Sequence, residues 1–125
     1  MTTARQAYVN AVVKNYVRLP GTPLRASRGD RRFAGALYDR RVRLRVVYAA
    51  FVLATARREI RSPDLARHPA IRTLHFFVGA IDEVLETQPD DGYIDYLAAK
   101  IKPLVARKDV ALSAVRRYSA FSDRR

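Results

Sequence analysis

Apolar residues recur three and four positions apart through most of this chain, and turn formers interrupt them before any run grows long. Ile71, Leu74, Val78, Ile81 and Leu85 keep this step, and Phe77 and Val84 widen the seam. Such spacing gathers side chains on one face of an α-helix. Two heptads are too few for a coiled coil, so the seam belongs to a bundle. Tyr8, Val9, Val12, Val13, Tyr16 and Val17 form a similar stripe over residues 2–18, with Thr2 or Thr3 available as its cap.

Breakers divide the chain into helical lengths. Pro20, Gly21 and Pro23 make residues 19–26 a loop. Ser27 and Asp30 form an S-x-x-D capping pair that opens a second helix, with Phe33, Ala34, Leu37 and Tyr38 as its apolar face. Residues 39–41 read as a tight turn. Residues 41–46 alternate like a strand, but Leu44, Val47, Tyr48, Phe51, Val52 and Thr55 continue at helical spacing to about residue 60, which predicts a third helix. Residues 61–70 read as a connector, and a fourth helix is expected over 69–87 with Pro69 in its first position. After a turn at 88–92, a fifth helix carries Tyr93, Ile94, Leu97, Ile101 and Leu104 on its inner face. Pro103 is expected to kink or end it. Asp109 then caps a last helix bearing Val110, Leu112, Val115, Tyr118 and Phe121, and residues 122–125 fray. The expected fold is all-α: one domain over residues 1–125, a compact bundle of five to six helices.

Charge narrows the function classes. The 125 residues carry a net charge of +12, with an isoelectric point of about 10.9. Excess positive charge favours polyanions. Arginine supplies 20 of the cations and lysine 4, and the guanidinium fork matches phosphate bidentately. A GC-rich codon bias also favours arginine over lysine, but it leaves the net charge unexplained. Residues 25–61 hold eleven arginines against Asp30, Asp39 and Glu59. The candidate nucleic-acid contacts are Arg25, Arg28, Arg31, Arg32, Arg40, Arg41, Arg43, Arg45, Arg57, Arg58 and Arg61, with Arg116 and Arg117 near the end of the chain. Arg28, Arg31 and Arg32 crowd the first turn of the second helix. Cations there oppose the helix dipole at about 0.3–1 kcal/mol each. Their placement suits either an anion held at this helix end or arginines that point to solvent.

Other features weigh the alternatives. A helix, tight turn and helix fit a helix-turn-helix layout, but the third helix is apolar in its middle and reads as core. Phe33, Tyr38, Tyr48, Phe51, Tyr118 and Phe121 interleave with arginines. Base stacking is one use for them, but their apolar faces favour the core, with Tyr118 beside Arg116 and Arg117 as the exception. No lysine or arginine occurs between Thr73 and Ala99, where Asp82, Glu83, Glu86, Asp90, Asp91 and Asp95 form an acidic hairpin. That hairpin either neutralises the basic helices of the same molecule or meets the basic face of a neighbouring copy. Head-to-tail contacts of the second kind build rings or filaments.

Catalytic chemistry finds no support. Cysteine is absent, and His68 and His75 are the only histidines, His75 reading as a bundle residue. No zinc-binding, Walker or dinucleotide-binding motif occurs. The paired aspartates read as caps and solvated turns rather than a magnesium site, and Ser27 reads as a cap. The expectation is a protein that is not an enzyme and has no cofactor, metal site or catalytic residue. Without a secretory signal or a membrane-spanning run, it has a cytoplasmic default and no membrane partner. The leading partner is nucleic acid, DNA or RNA, held by backbone charge with low sequence specificity, either alone or in a larger nucleoprotein assembly. The alternative is an assembly subunit whose basic face docks an acidic protein.

The run Pro20-Gly21-Thr22-Pro23, Ser27-Arg28, Asp30-Arg31-Arg32 and Ala34 is followed by Ala49-Ala50, Leu53-Ala54, Ala56-Arg57-Arg58 and Ile71-Arg72-Thr73-Leu74-His75-Phe76-Phe77. These stretches cover about half the chain. They resemble small basic helical proteins and the helical C-terminal modules of replication initiators from bacterial mobile elements, similar in layout to DnaD-like modules that bind single and double strands. The resemblance implies a DNA-handling accessory protein and carries over no catalytic residue. The sequence departs from that pattern in having no attached winged-helix domain.

Overall fold

A computed structural model of the chain describes residues 2–60 and 69–122, with side chains through residue 115, and every regular element among them is helical. The elements are α1 (Ala4–Val17), α2 (Arg28–Asp39), α3 (Leu44–Glu59), a 3-10 turn (Leu74–Phe77), α4 (Val78–Thr87) and α5 (Asp91–Ser122). The all-α bundle expected from the apolar spacing is the fold the chain adopts. Residues 61–68 of the expected connector at 61–70, His68 among them, and the chain end at 123–125 lie outside the described residues.

Two capping boxes start the first two helices. Thr3 Oγ1 accepts the Gln6 N–H at 3.1 Å, and Gln6 Oε1 accepts the Thr3 N–H at 2.8 Å. Ser27 and Asp30 do the same for α2, both bonds at 3.0 Å. Asp30 is almost fully buried. Its second oxygen, Oδ1, accepts the Leu74 N–H at 2.8 Å. The cap of α2 therefore also fastens the 3-10 turn, and the buried carboxylate is satisfied by backbone donors.

A Schellman arrangement closes α2. The Val42 N–H donates to Leu37 O at 3.0 Å and the Arg41 N–H to Tyr38 O at 2.9 Å. Arg41 sits at φ 61°, the left-handed conformation that glycine adopts without strain. The turn aims α3 through the middle of the bundle. Val47, Ala49, Ala50, Phe51, Val52, Leu53, Thr55 and Ala56 are all buried. The Phe51 ring lies 4.9 Å from Phe77 and 6.5 Å from Tyr16, and Tyr16 lies 6.1 Å from Phe77. These rings lock α1, α3 and the 3-10 turn together, with edge-to-face geometry at both Phe77 contacts. The middle of α3 is core, and its exposed positions are Leu44, Arg45 and Tyr48.

Three expectations are corrected. The fourth helix starts at Val78, not at residue 69. Residues 69–73 lie alongside the loop between α1 and α2, where the Ile71 N–H donates to Gly21 O at 2.8 Å. Those bonds commit the backbone elsewhere and shift the register. The buried residues are Ile71, Leu74, Phe77, Ile81 and Val84, while Val78 is half-buried and Leu85 is 40% exposed. The expected fifth and sixth helices are one helix, α5, that runs through Pro103, so Asp109 caps nothing. Pro103 leaves the Ala99 carbonyl without its helical donor, at a stretch where both residues are exposed. Downstream contacts tie the far part of the helix to the α1 end. Arg18 Nε and Nη2 donate to the two Asp109 oxygens at 3.0 Å each. Lys108 Nζ donates to Leu19 O at 2.9 Å and to Thr22 O at 2.6 Å, and burial pushes its pKa below the ordinary lysine value. Finally, Tyr38, Tyr48 and Tyr93 are exposed rather than core, at 36%, 46% and 45%. No described helix is long and apolar enough to cross a membrane.

Candidate nucleic-acid interface

Helix α2 turns Asp30, Ala34, Gly35 and Leu37 inward and packs on α1. Arg28 and Arg32 fall one turn apart on the opposite face, roughly 6 Å from each other along the axis. Arg40, Arg41 and Arg43 continue from the end of α2 through the turn into α3. These five arginines are exposed, and none has a side-chain partner among the described residues. At the start of α2 the cap satisfies the Asp30 N–H, and the Arg31 N–H bonds to Ser27 O at 3.1 Å. The N–H groups of Arg28 and Gly29 remain on the exposed first turn, at the positive end of the helix dipole.

The other candidates are placed differently. Arg31 turns back to α1, where Nη2 donates to Asn10 Oδ1 at 2.5 Å. Arg25 is exposed just before the cap. Arg45 pairs with Asp91. Arg57 forms a bidentate pair with Glu83 at 2.6 and 2.7 Å. Arg58 is mostly buried: it donates to Pro69 O and lies over the Phe76 ring at 5.9 Å. Arg57 and Arg58 are thus built into the molecule at the end of α3. Arg61 lies outside the described residues, as do the side chains of Arg116 and Arg117.

The acidic hairpin partly answers the basic helices, through the Arg45–Asp91 and Arg57–Glu83 pairs. Asp82, Glu86, Asp90 and Asp95 are exposed with no cationic partner among the described residues, although Asp90 accepts the Gly92 N–H at 3.0 Å. No group of three or more metal-ligating side chains occurs among the described residues. His75 is exposed, its ring 5.4 Å from Phe33.

One further pair shapes this face. Arg5 reaches from α1 across α2, and its Nε and Nη2 donate to Asp39 at 3.1 Å each. It passes over Gly35, where a Cβ would run into the guanidinium. The Arg5 hydrogen bonds hold the Asp39 carboxyl below its usual pKa. Asp39 is therefore answered within the protein, which leaves Arg28, Arg32 and Arg40 free of its charge.

Sequence reasoning missed Arg72. It is exposed and lies between Ile71 and Leu74, whose N–H groups are bonded to Gly21 and Asp30. Those bonds bring it to the same end of the molecule as Arg28. They span residues far apart in the chain, so no local pattern foretells them. Compared with protein-family models, with curated proteins and with solved structures, the chain matches none.

Proposed function

We propose that this chain is a non-catalytic nucleic-acid-binding accessory protein that grips the phosphate backbone with the arginine face of α2 and the α2–α3 turn. The observation that carries this reading is selective pairing. The molecule has acidic side chains to spare, yet Arg28, Arg32, Arg40, Arg41 and Arg43 remain exposed and unpaired among the described residues, while Arg45 and Arg57 are neutralised. Guanidinium groups left exposed in this way suit counterion release and bidentate phosphate contacts, which carry little sequence information. The resemblance to DnaD-like modules points to DNA handling as the process served.

A double change, Arg28→Glu with Arg32→Glu, tests the reading. Binding should weaken at least tenfold for every sequence alike, with helical content unchanged, because neither side chain holds the fold. Arg57→Ala serves as the control and should leave affinity near wild type. Equal loss in the control and the double variant would contradict the proposed face.

A second reading has its own support. Leu85, Tyr93 and Tyr96 are exposed on α4 and α5, as are Asp82, Glu86 and Asp95, which have no cationic partner among the described residues. An apolar, acidic surface of this kind suits a basic partner or a neighbouring copy in a nucleoprotein assembly. Light scattering that shows a monomer at both low and high salt would remove the neighbouring copy from this reading.

A further inference from the structure

A groove of about 290 Å³ opens between α1 and α5, with α3 as its floor. Phe51 and Val52 form the floor, Asn15 and Arg18 one wall, and Ala98 and Lys102 the other, with Tyr48 at the mouth. A second lobe, also of about 290 Å³, shares Asn15, Tyr48 and Phe51 and extends to Leu44 and Arg45. We propose that this groove seats an unpaired nucleobase, so that the strand this protein prefers is single. The proposal rests on the nucleic-acid reading above and adds the strand type and the contact.

Four features fit a base and its phosphate. First, the walls are largely apolar, and the volume is about twice that of the ~150 Å³ apolar cavity that admits benzene, so a flat heterocycle has room. Second, Tyr48 is 46% exposed at the mouth, although its spacing on α3 marks it as a core residue. A half-exposed aromatic beside a slot offers a face for stacking. Third, polar groups converge without a carboxylate among the lining residues of either lobe. Asn15 donates Nδ2 to Ala11 O at 3.0 Å, which leaves its Oδ1 to accept from a base edge. Arg18 uses Nε and Nη2 on Asp109, so Nη1 remains, and exposed Lys102 stands on the facing wall. Fourth, Arg41 and Arg43 lead from the α2–α3 turn to Leu44 and Arg45 at the second lobe, so the charged face and the groove join. A base inside a duplex is stacked and paired and cannot enter such a slot without being flipped out.

The test is fluorescence anisotropy with a labelled oligo-dT strand and a labelled duplex of the same length. Wild type, Tyr48→Ala, Tyr48→Trp and Ala99→Trp would be compared, Ala99 being an exposed position on the groove wall. Wild type should bind the single strand more tightly than the duplex. Tyr48→Ala should weaken single-strand binding by about tenfold or more, with duplex affinity and salt dependence unchanged. Tyr48→Trp should keep the affinity, and Ala99→Trp, which fills the slot without touching the aromatic, should lose it. Wild-type affinity for the single strand in both Tyr48→Ala and Ala99→Trp, or equal binding of the two strands, would overturn the groove proposal and leave the arginine face standing. Failure of wild type to bind either strand would instead overturn the nucleic-acid reading itself.

Discussion

Arg5 and Asp39 show how single residues set the charge of the proposed face. The pair is exposed, and its hydrogen bonds favour the ionised carboxylate. The folded pKa is therefore below the unfolded one. The pair's contribution is complete above the unfolded value and disappears as pH falls through the lowered folded value. In a carboxyl NMR titration, Asp39 should titrate below the ordinary value of about 3.9, and Arg5→Ala should return it there. An unchanged midpoint in Arg5→Ala would show that the pair does not form in solution. Tyr16 presents the opposite situation. Its ring fills the core, but the hydroxyl is buried without a hydrogen-bond partner among the described residues. Burial, and next the nearby Asp30, push the phenol far above its usual pKa. Removing an unsatisfied buried hydroxyl should cost nothing, so Tyr16→Phe should hold stability constant or raise it by about 1 kcal/mol in denaturant unfolding. A loss larger than that would mean the hydroxyl has a partner. The Ser27–Asp30 cap was legible from its S-x-x-D spacing. The bond from Asp30 to Leu74 was not, because it joins residues 44 positions apart.

At the scale of elements, the junction of α2 and α3 carries both the fold and the proposed function. Arg41 occupies a position where a side chain costs roughly 1 kcal/mol relative to glycine. Strain kept at an exposed residue points to a use for its side chain. Arg41→Gly should raise the unfolding free energy by about 0.5–1 kcal/mol and lower nucleic-acid affinity, with stability read by urea unfolding and affinity by anisotropy. Stability that rises while affinity stays at wild type would remove Arg41 from the contact surface. The two capped starts, the turn after α2 and the length of α3 were readable from local pattern. The start of α4 was not, because Ile71 and Leu74 give their N–H groups to distant partners rather than to a helix. The continuity of α5 through Pro103 was hidden for a related reason. Proline predicts a break, and the contacts of Lys108 and Asp109 with the α1–α2 loop override it.

For the whole molecule, charge is sorted rather than averaged. Two ion pairs tie the basic α3 to the acidic α4 and α5, while Arg28, Arg32, Arg40, Arg41 and Arg43 have no side-chain partner among the described residues. The groove beside Tyr48 adjoins that open face through Leu44 and Arg45. The charge excess was plain in the sequence, but which arginines remain free is a property of the fold. Arg57 and Arg58 read as equal candidates to Arg28 and Arg32 until α4 and residue 69 are brought against them. The groove could not be anticipated either, since its walls come from α1 and α5 and its floor from α3.

The central claim is that a small set of free arginines holds the phosphate backbone. Its most direct test is the salt dependence of binding by the wild-type protein. Five open arginines predict a slope of log affinity against log salt of roughly −3.5 on a single strand and −4.5 on a duplex. Removing Arg28 and Arg32 together should shrink that slope by about 1.4 on the single strand and about 1.8 on the duplex. A slope near zero, or one that Arg28→Ala with Arg32→Ala leaves unchanged, would contradict the account.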